Sequence, residues 1–231
     1  MNNQRWMSQN FFAFFMTWGI FLPYWTGFLV AAKGLTVPEA SLIMSLGLVS
    51  RGFSTLFAFP FISKKWSGKK VLDVLSFGSL VTALFFIPAD SFAALLIVTL
   101  AFNLFYPALM PALDSVAGIL LQHGQLNYGN SRSYGSFGFI VMVLVISVVT
   151  GKFGDASLLW FLLGGLVILA LLTRLRAPEV LLETPKPLKN KSFTMMSLFK
   201  VKYFPIVLLI AILLQGAHAS YYNYGYIYLQ H

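Results

Sequence analysis

Seven stretches of this chain are each long and apolar enough to cross a lipid bilayer, and a bilayer permits few architectures. A hydrocarbon core about 30 Å thick needs about 20 mostly apolar helical residues. Stretches at roughly 9–31, 40–62, 70–88, 91–120, 131–150, 157–174 and 203–229 meet that need. Within hydrocarbon only helices or closed barrels satisfy every backbone N–H and C=O. The alternating ten-residue segments of a barrel are absent, so the pattern predicts an all-α membrane protein. Composition agrees: 58% of the 231 residues are hydrophobic and only 10% charged, against about 25% charged in a soluble domain. So few charges could not cover a water-exposed surface. The first stretch is too long and too aromatic (Phe11, Phe12, Phe14, Phe15, Trp18) for a signal peptide and ends without a small-residue cleavage site, so it reads as a retained helix.

The basic residues set an orientation. With the N-terminus cytoplasmic, the inner segments carry Arg5, Lys64, Lys65, Lys69, Lys70, Arg132, Arg174, Arg176, Lys186, Lys189, Lys191, Lys200 and Lys202. The outer segments carry only Lys33 and Lys152, and Arg51 lies within a span. This asymmetry obeys the positive-inside rule. It also accounts for the net charge of +9 without nucleic acid, since the cations face anionic lipid. The absence of cysteine excludes disulfide scaffolds, thiolate metal sites and cysteine nucleophiles. No Walker A, HExxH or GxSxG sequence and no pair of catalytic carboxylates occurs, so the reading is of a non-enzyme with no cofactor and no metal. Asn190-Lys191-Ser192 has the form of a glycosylation acceptor, but on a cytoplasmic loop it is not modified.

The order of segments suggests half of a duplicated plan. Residues 1–174 read as a six-helix bundle, 175–202 as a basic cytoplasmic linker containing Pro178, Pro185 and Pro187, and 203–231 as a seventh helix that starts a second bundle. Carriers made of repeated halves have such a linker between two six-helix bundles. The chain therefore reads as a truncated form of a twelve-helix protein. Helices 1 and 7 align weakly at an offset of 200, pairing Phe21 with Tyr221 and Tyr24 with Tyr224. Pro23 in helix 1 and Pro107 and Pro111 in helix 4, near Asn103, predict interrupted helices at corresponding positions of a 3+3 repeat, a pointer to a binding cavity. The alternative is that membrane helices tolerate proline anyway.

Charges inside the spans carry the functional content. Arg51 sits near the centre of helix 2, where a cation costs about 2.5–3.5 kcal/mol and therefore faces a cavity or a partner. Asp114 reads as the one carboxylate clearly inside a span, sharing a face of helix 4 with Asn103, Pro107 and Pro111. Arg132 opens helix 5 at similar depth, so an Asp114–Arg132 ion pair is expected; a plain positive-inside flank is the alternative. Gly135, Ser136 and Gly138 permit close helix packing. On helix 7, Gln215, His218, Tyr222 and Tyr226 share a face suited to an aromatic, weakly polar ligand. His218 is a candidate proton carrier because an unperturbed imidazole titrates at about 6.5.

The stretch Tyr128-Gly129, Arg132, Gly135-Ser136, Gly138-Phe139, with Asp114 on the preceding helix, resembles the helix 4–5 signature of the major facilitator superfamily, in the branch of oligosaccharide:H+ and nucleoside:H+ symporters. Gly19-Ile20-Phe21-Leu22-Pro23-Tyr24-Trp25, Phe102-Asn103-Leu104-Phe105 and Leu214 through Tyr222 extend that resemblance over essentially the whole chain. One departure lies in the loop 2–3 pattern, which survives mainly as Gly68-Lys69-Lys70, with Phe61 and Lys65 at the places of its Gly and Asp. The other is length, since helices 8–12 of the family have no counterpart.

The resemblance implies a secondary transporter of a bacterial inner membrane that takes up 3-phenylpropionate or a related aromatic carboxylate with protons. Arg132 or Arg51 would hold the carboxylate, and Tyr24, Trp25, Phe139 and Tyr222 would stack on the ring with Asn103 nearby. Asp114 or His218 would take the coupling proton. The rival reading is a non-transporting fragment, or a helix bundle that docks a complementary C-terminal half or a second copy.

Overall fold

The structure is a computed structural model that describes residues 3–175, 177–184 and 199–229, without the side chains of residue 215 and residues 218–229. Seven long helical segments run along it: α1 (Asn3–Ala31), α2 (Val37–Ser63), α3 (Gly68–Leu84), α4 (Phe92–Gln122), α5 (Tyr128–Phe153), α6 (Ser157–Arg174) and α7 (Phe204–Leu229). Short side chains start several of them. Thr36 forms a reciprocal capping box with Glu39, and Ser67, Ser91 and Asn127 accept from backbone N–H groups three residues on. Three connecting turns place Gly34, Gly124 and Gly154 at positive φ, a conformation that costs glycine little.

The chain is an all-α, multi-pass membrane protein. Helices α1, α2, α4, α5 and α6 are long and apolar enough to span a bilayer. The third expected span, α3, has 17 residues, about 26 Å at 1.5 Å per residue. Large apolar side chains also face outward: Phe137, Ile140, Leu144 and Val148 on α5 are each more than half exposed.

Helix α1 is the centre. Its most apolar window is 78% buried, against 17% for α2 and for α5. It packs chiefly on α5 and α6 and also touches α7, while α2 packs on α4, and α3 on α6 and α4. Glycines allow these approaches. A Cβ on Gly138 would meet the Phe12 carbonyl oxygen at 2.6 Å, and one on Gly19 would meet that of Phe139 at 2.9 Å. Gly135 abuts Phe15, whereas Ser136 is exposed, so the packing expected of that stretch belongs to its glycines. Gly165 admits Thr17, and Gly47 admits Asn103.

The prolines act unequally. Helix α1 runs unbroken through Pro23, so the expected interruption there does not occur. Helix α4 does break, into Phe92–Phe105 and Leu109–Gln122. At the break Leu109 N–H bonds to Tyr106 O and Met110 N–H to Pro107 O, a tighter turn around residues that lack a donor. Helix α2 contains one wider π-type turn, Ser54–Ala58, closed by Phe59 N–H on Ser54 O just ahead of Pro60. Ser50 Oγ and Ser54 Oγ beside it donate to the carbonyls of Leu100 and Leu104 on α4.

Candidate functional site

Phe11, Phe15 and Trp18 follow one another on α1 at intervals of four and three, which places them on one face. Two cations lie against that face from different helices. The Arg132 guanidinium of α5 is 4.1 Å from the Phe15 ring centroid and 5.6 Å from that of Phe11. The Arg51 guanidinium of α2 is 5.0 Å from the Trp18 ring. Both arginines are half-buried. Cation–π contact is worth about 2 kcal/mol or more when desolvated, comparable to the cost of placing a cation in a span. Behind the face, Phe14 and Trp18 rest on Tyr106, whose hydroxyl donates to Thr17 Oγ1 at 2.8 Å.

The expected Asp114–Arg132 ion pair is not formed. Ion pairs form instead at Lys33–Asp90 and Lys69–Asp73. Asp114 Oδ1 instead accepts from the Tyr128 hydroxyl at 3.0 Å. Tyr128 lies one helical turn before Arg132 on α5, so the phenol that Asp114 engages stands on the same face of that helix as the arginine. The carboxylate thus bonds to a neutral phenol, and the guanidinium lies against the rings of α1.

Asp114 is also not the only carboxylate inside a helix of the bundle. Asp73 lies in the second turn of α3, 2.5 Å from Lys69 Nζ, with side chains 22% and 24% exposed. Its Oδ1 is buried without a hydrogen-bond partner. The Lys69…Asp73 spacing of four was the available sequence signal. For Tyr128, and for the Phe11–Phe15–Trp18 stripe, the signal was the helical spacing of aromatics around a lone arginine.

The other expected site residues spread over helix contacts. Tyr24 is buried and donates to Val143 O on α5 at 3.1 Å. Trp25 is fully buried, its ring 4.5 Å from Phe28 and 5.0 Å from Phe86, with no hydrogen-bond partner for its indole N–H. Asn103, 4% exposed, donates to Thr99 O and packs beneath Gly47. Phe139 is half-buried against the core, with its backbone at the Gly19 crossing. The side chains of His218 and Tyr222 on α7 lie outside the described residues. Arg51, Arg132 and, through Tyr128, Asp114 are thus brought around one face of α1; Tyr24, Trp25 and Asn103 are built into the walls beside it. At the loop that departs from the expected pattern, Lys65 Nζ lies 4.1 Å over the Phe61 ring, so the two departing residues pair with each other.

Comparison with known proteins gives consistent results. Residues 4–231 match the family described as MFS_1 like. The chain is 30% identical over 230 residues to the probable 3-phenylpropionic acid transporter of Escherichia coli (strain K12), covering all of this chain and 60% of that protein. It is 29% identical over 141 residues to the uncharacterized transporter YwbF of Bacillus subtilis (strain 168), covering 61% of this chain and 35% of that one. Crystal structures of the nucleoside transporter NupG superpose with TM-scores of 0.77 (D323A mutant) and 0.72, at 20% identity, over 97% and 93% of this chain and 57% and 54% of theirs. At that identity the likeness is one of fold. The chain spans about 60% or less of the length of each of these proteins.

Proposed function

This chain belongs to the MFS_1 like family, a family of transporters, and on that premise we propose that it is the substrate-holding part of a proton-coupled secondary transporter for 3-phenylpropionate or a related aromatic carboxylate. In this reading residues 1–174 form the N-terminal six-helix bundle, 175–202 the cytoplasmic linker and 203–231 the first helix of a C-terminal bundle. The N-terminus is cytoplasmic and the membrane is a bacterial inner membrane. Alternating access comes from rocking two bundles about a midplane site.

The observation that carries the proposal is the pair of guanidiniums on one aromatic face of α1, neither within ion-pair distance of a carboxylate among the described residues. A cation held by ring faces keeps its charge for an incoming anion. Arg132 and Arg51 then bind the carboxylate through charge-assisted hydrogen bonds, stronger than neutral ones. The phenyl group lies against Phe139 and Tyr222, with the buried Tyr24, Trp25 and Asn103 backing that wall. Aromatic pairs add about 0.5–1.5 kcal/mol to the burial of their area. Asp114, tied to Tyr128 beside Arg132, is the first candidate for the coupling proton: protonated, it no longer competes with the substrate for positive charge. His218 is the second.

Binding and uptake of radiolabelled 3-phenylpropionate by the 231-residue chain in proteoliposomes test this. Saturable binding that Arg132→Gln weakens tenfold or more is the expected result, and uptake above that of empty vesicles assigns transport to this chain alone. Binding without uptake limits it to the substrate-holding role. No binding by the unmodified chain overturns the substrate assignment.

A further inference from the structure

We propose that the cleft between α1, α5 and α6 is a binding site for one anionic phospholipid, separate from the transport face. The cleft has a volume of about 760 Å³. At 100° per residue, its α5 wall (Asn130, Tyr134, Phe137) lies on roughly the opposite side of that helix from Arg132. It exists because α5 and α6 both pack on α1 yet barely touch each other. Gly138 draws α5 onto Phe12; Gly165 seats α6 on Thr17, and Trp6 Nε1 ties α1 to the carbonyls of Leu172 and Leu175.

Three features choose the occupant. The lining is graded along α1, polar at Arg5, Gln9 and Asn130 and apolar at Met16, Phe137 and Ile168. From Arg5 to Met16 the helix rises about 17 Å, close to half of a 30 Å hydrocarbon core. The cleft therefore spans one leaflet, with its polar end where lipid headgroups lie. Among the described residues the lining includes the exposed Arg5 guanidinium and no carboxylate, so its charge complements a phosphate and offers no partner to a choline ammonium. Towards the bilayer centre the α5 wall runs on into the exposed apolar side chains of Ile140, Leu144 and Val148, so acyl chains can enter from the side.

The inference rests on the membrane-spanning fold and not on the substrate reading; each can fail alone. The test uses the full chain, delipidated in detergent, offered phosphatidylglycerol or phosphatidylcholine, and examined by native mass spectrometry. Unmodified protein is expected to retain one phosphatidylglycerol several-fold over phosphatidylcholine. Arg5→Gln should reduce retention to the phosphatidylcholine level. Ile168→Trp, which fills the apolar end from an exposed position, should abolish both, with the circular dichroism of each variant unchanged. Equal retention of the two lipids by unmodified protein, or full retention in either variant, overturns the proposal. Because the chain has no cysteine, an Ile168→Cys, Asn190→Cys pair also tests the linker as occupant. A disulfide that forms completely despite excess phosphatidylglycerol would assign the cleft to the linker and overturn the proposal as well.

Discussion

Gly138→Ala probes the contact that brings α5 onto α1. The added Cβ would stand 2.6 Å from the Phe12 carbonyl oxygen and 3.0 Å from its ring. A relaxed carbon–oxygen contact is about 3.3–3.6 Å, so roughly 0.8 Å must be found. The obstructing atom is helix backbone and cannot rotate away; two helices of 29 and 26 residues must separate. Overpacking costs about 1–3 kcal/mol, and a backbone obstruction belongs near the top of that range. Alanine's helix preference over glycine returns about 0.5–1 kcal/mol. The net expectation is a loss of about 2 kcal/mol. Gly164→Ala on α6 is the control, since a Cβ there meets nothing within 4 Å and gains the helix preference alone. The same chemical change should therefore have opposite signs at the two sites, about 2–3 kcal/mol apart, read by equilibrium unfolding in mixed micelles. Gly138→Ala should also weaken 3-phenylpropionate binding, because Phe15 sits one turn from Phe12 and carries Arg132. Equal stability of the two variants would refute the account of close packing.

Three further outcomes follow from the site. Arg132→Gln should weaken 3-phenylpropionate binding tenfold or more by calorimetry, given about 1.5–3 kcal/mol for a hydrogen bond to a charged group; an unchanged Kd removes Arg132 from the site. Asp114→Asn keeps an acceptor for Tyr128 and should fold normally, but an inward proton gradient should no longer accelerate uptake in proteoliposomes. Continued acceleration moves the proton elsewhere, with His218 next to be tested. Lys69→Ala should lose about 1–3 kcal/mol in the unfolding assay, because it strands Asp73, one of whose oxygens is already buried without a partner. Lys33→Ala, whose partner Asp90 is 81% exposed, should lose under about 1 kcal/mol, and equal losses would contradict the burial argument.

The helix limits lie within about six residues of the stretches read from the sequence because lipid imposes both a length and a fully bonded backbone. The departures have local causes. Pro23 sits in a helix clamped on several sides, so neighbours hold it straight, whereas Pro107 and Pro111 remove two donors within five residues and the chain tightens. The π-type turn before Pro60 has no periodic signature; serines reaching across to α4 accompany it. Arg51, Asp114 and Arg132 stood out because an ionised group among apolar residues is anomalous. Their partners did not. Depth and spacing suggested an acid–base pair, but which of Tyr128, Phe11 or Phe15 intervenes depends on helix rotation, and rotation is set by the Gly135, Gly138 and Gly19 contacts.

That rotation bears on what the site can hold. Had Arg132 paired with Asp114, the pair would be neutral, and an anionic substrate would have to break it and leave a carboxylate without its cation. Instead the acid has a hydrogen-bond donor in Tyr128 and the guanidinium has ring faces, whose quadrupole is attractive but carries no net charge. Arg51 on Trp18 repeats the device from the other flank. Helix α1 therefore does two jobs with one set of residues: its aromatics fill the centre of the bundle, and the same rings hold two cations whose charge is not spent. An uncharged sugar or nucleoside gains little from two such cations, whereas a carboxylate on an aromatic body matches both the charge and the wall. Within the function proposed above, two such cations on an aromatic wall are what an aromatic carboxylate needs.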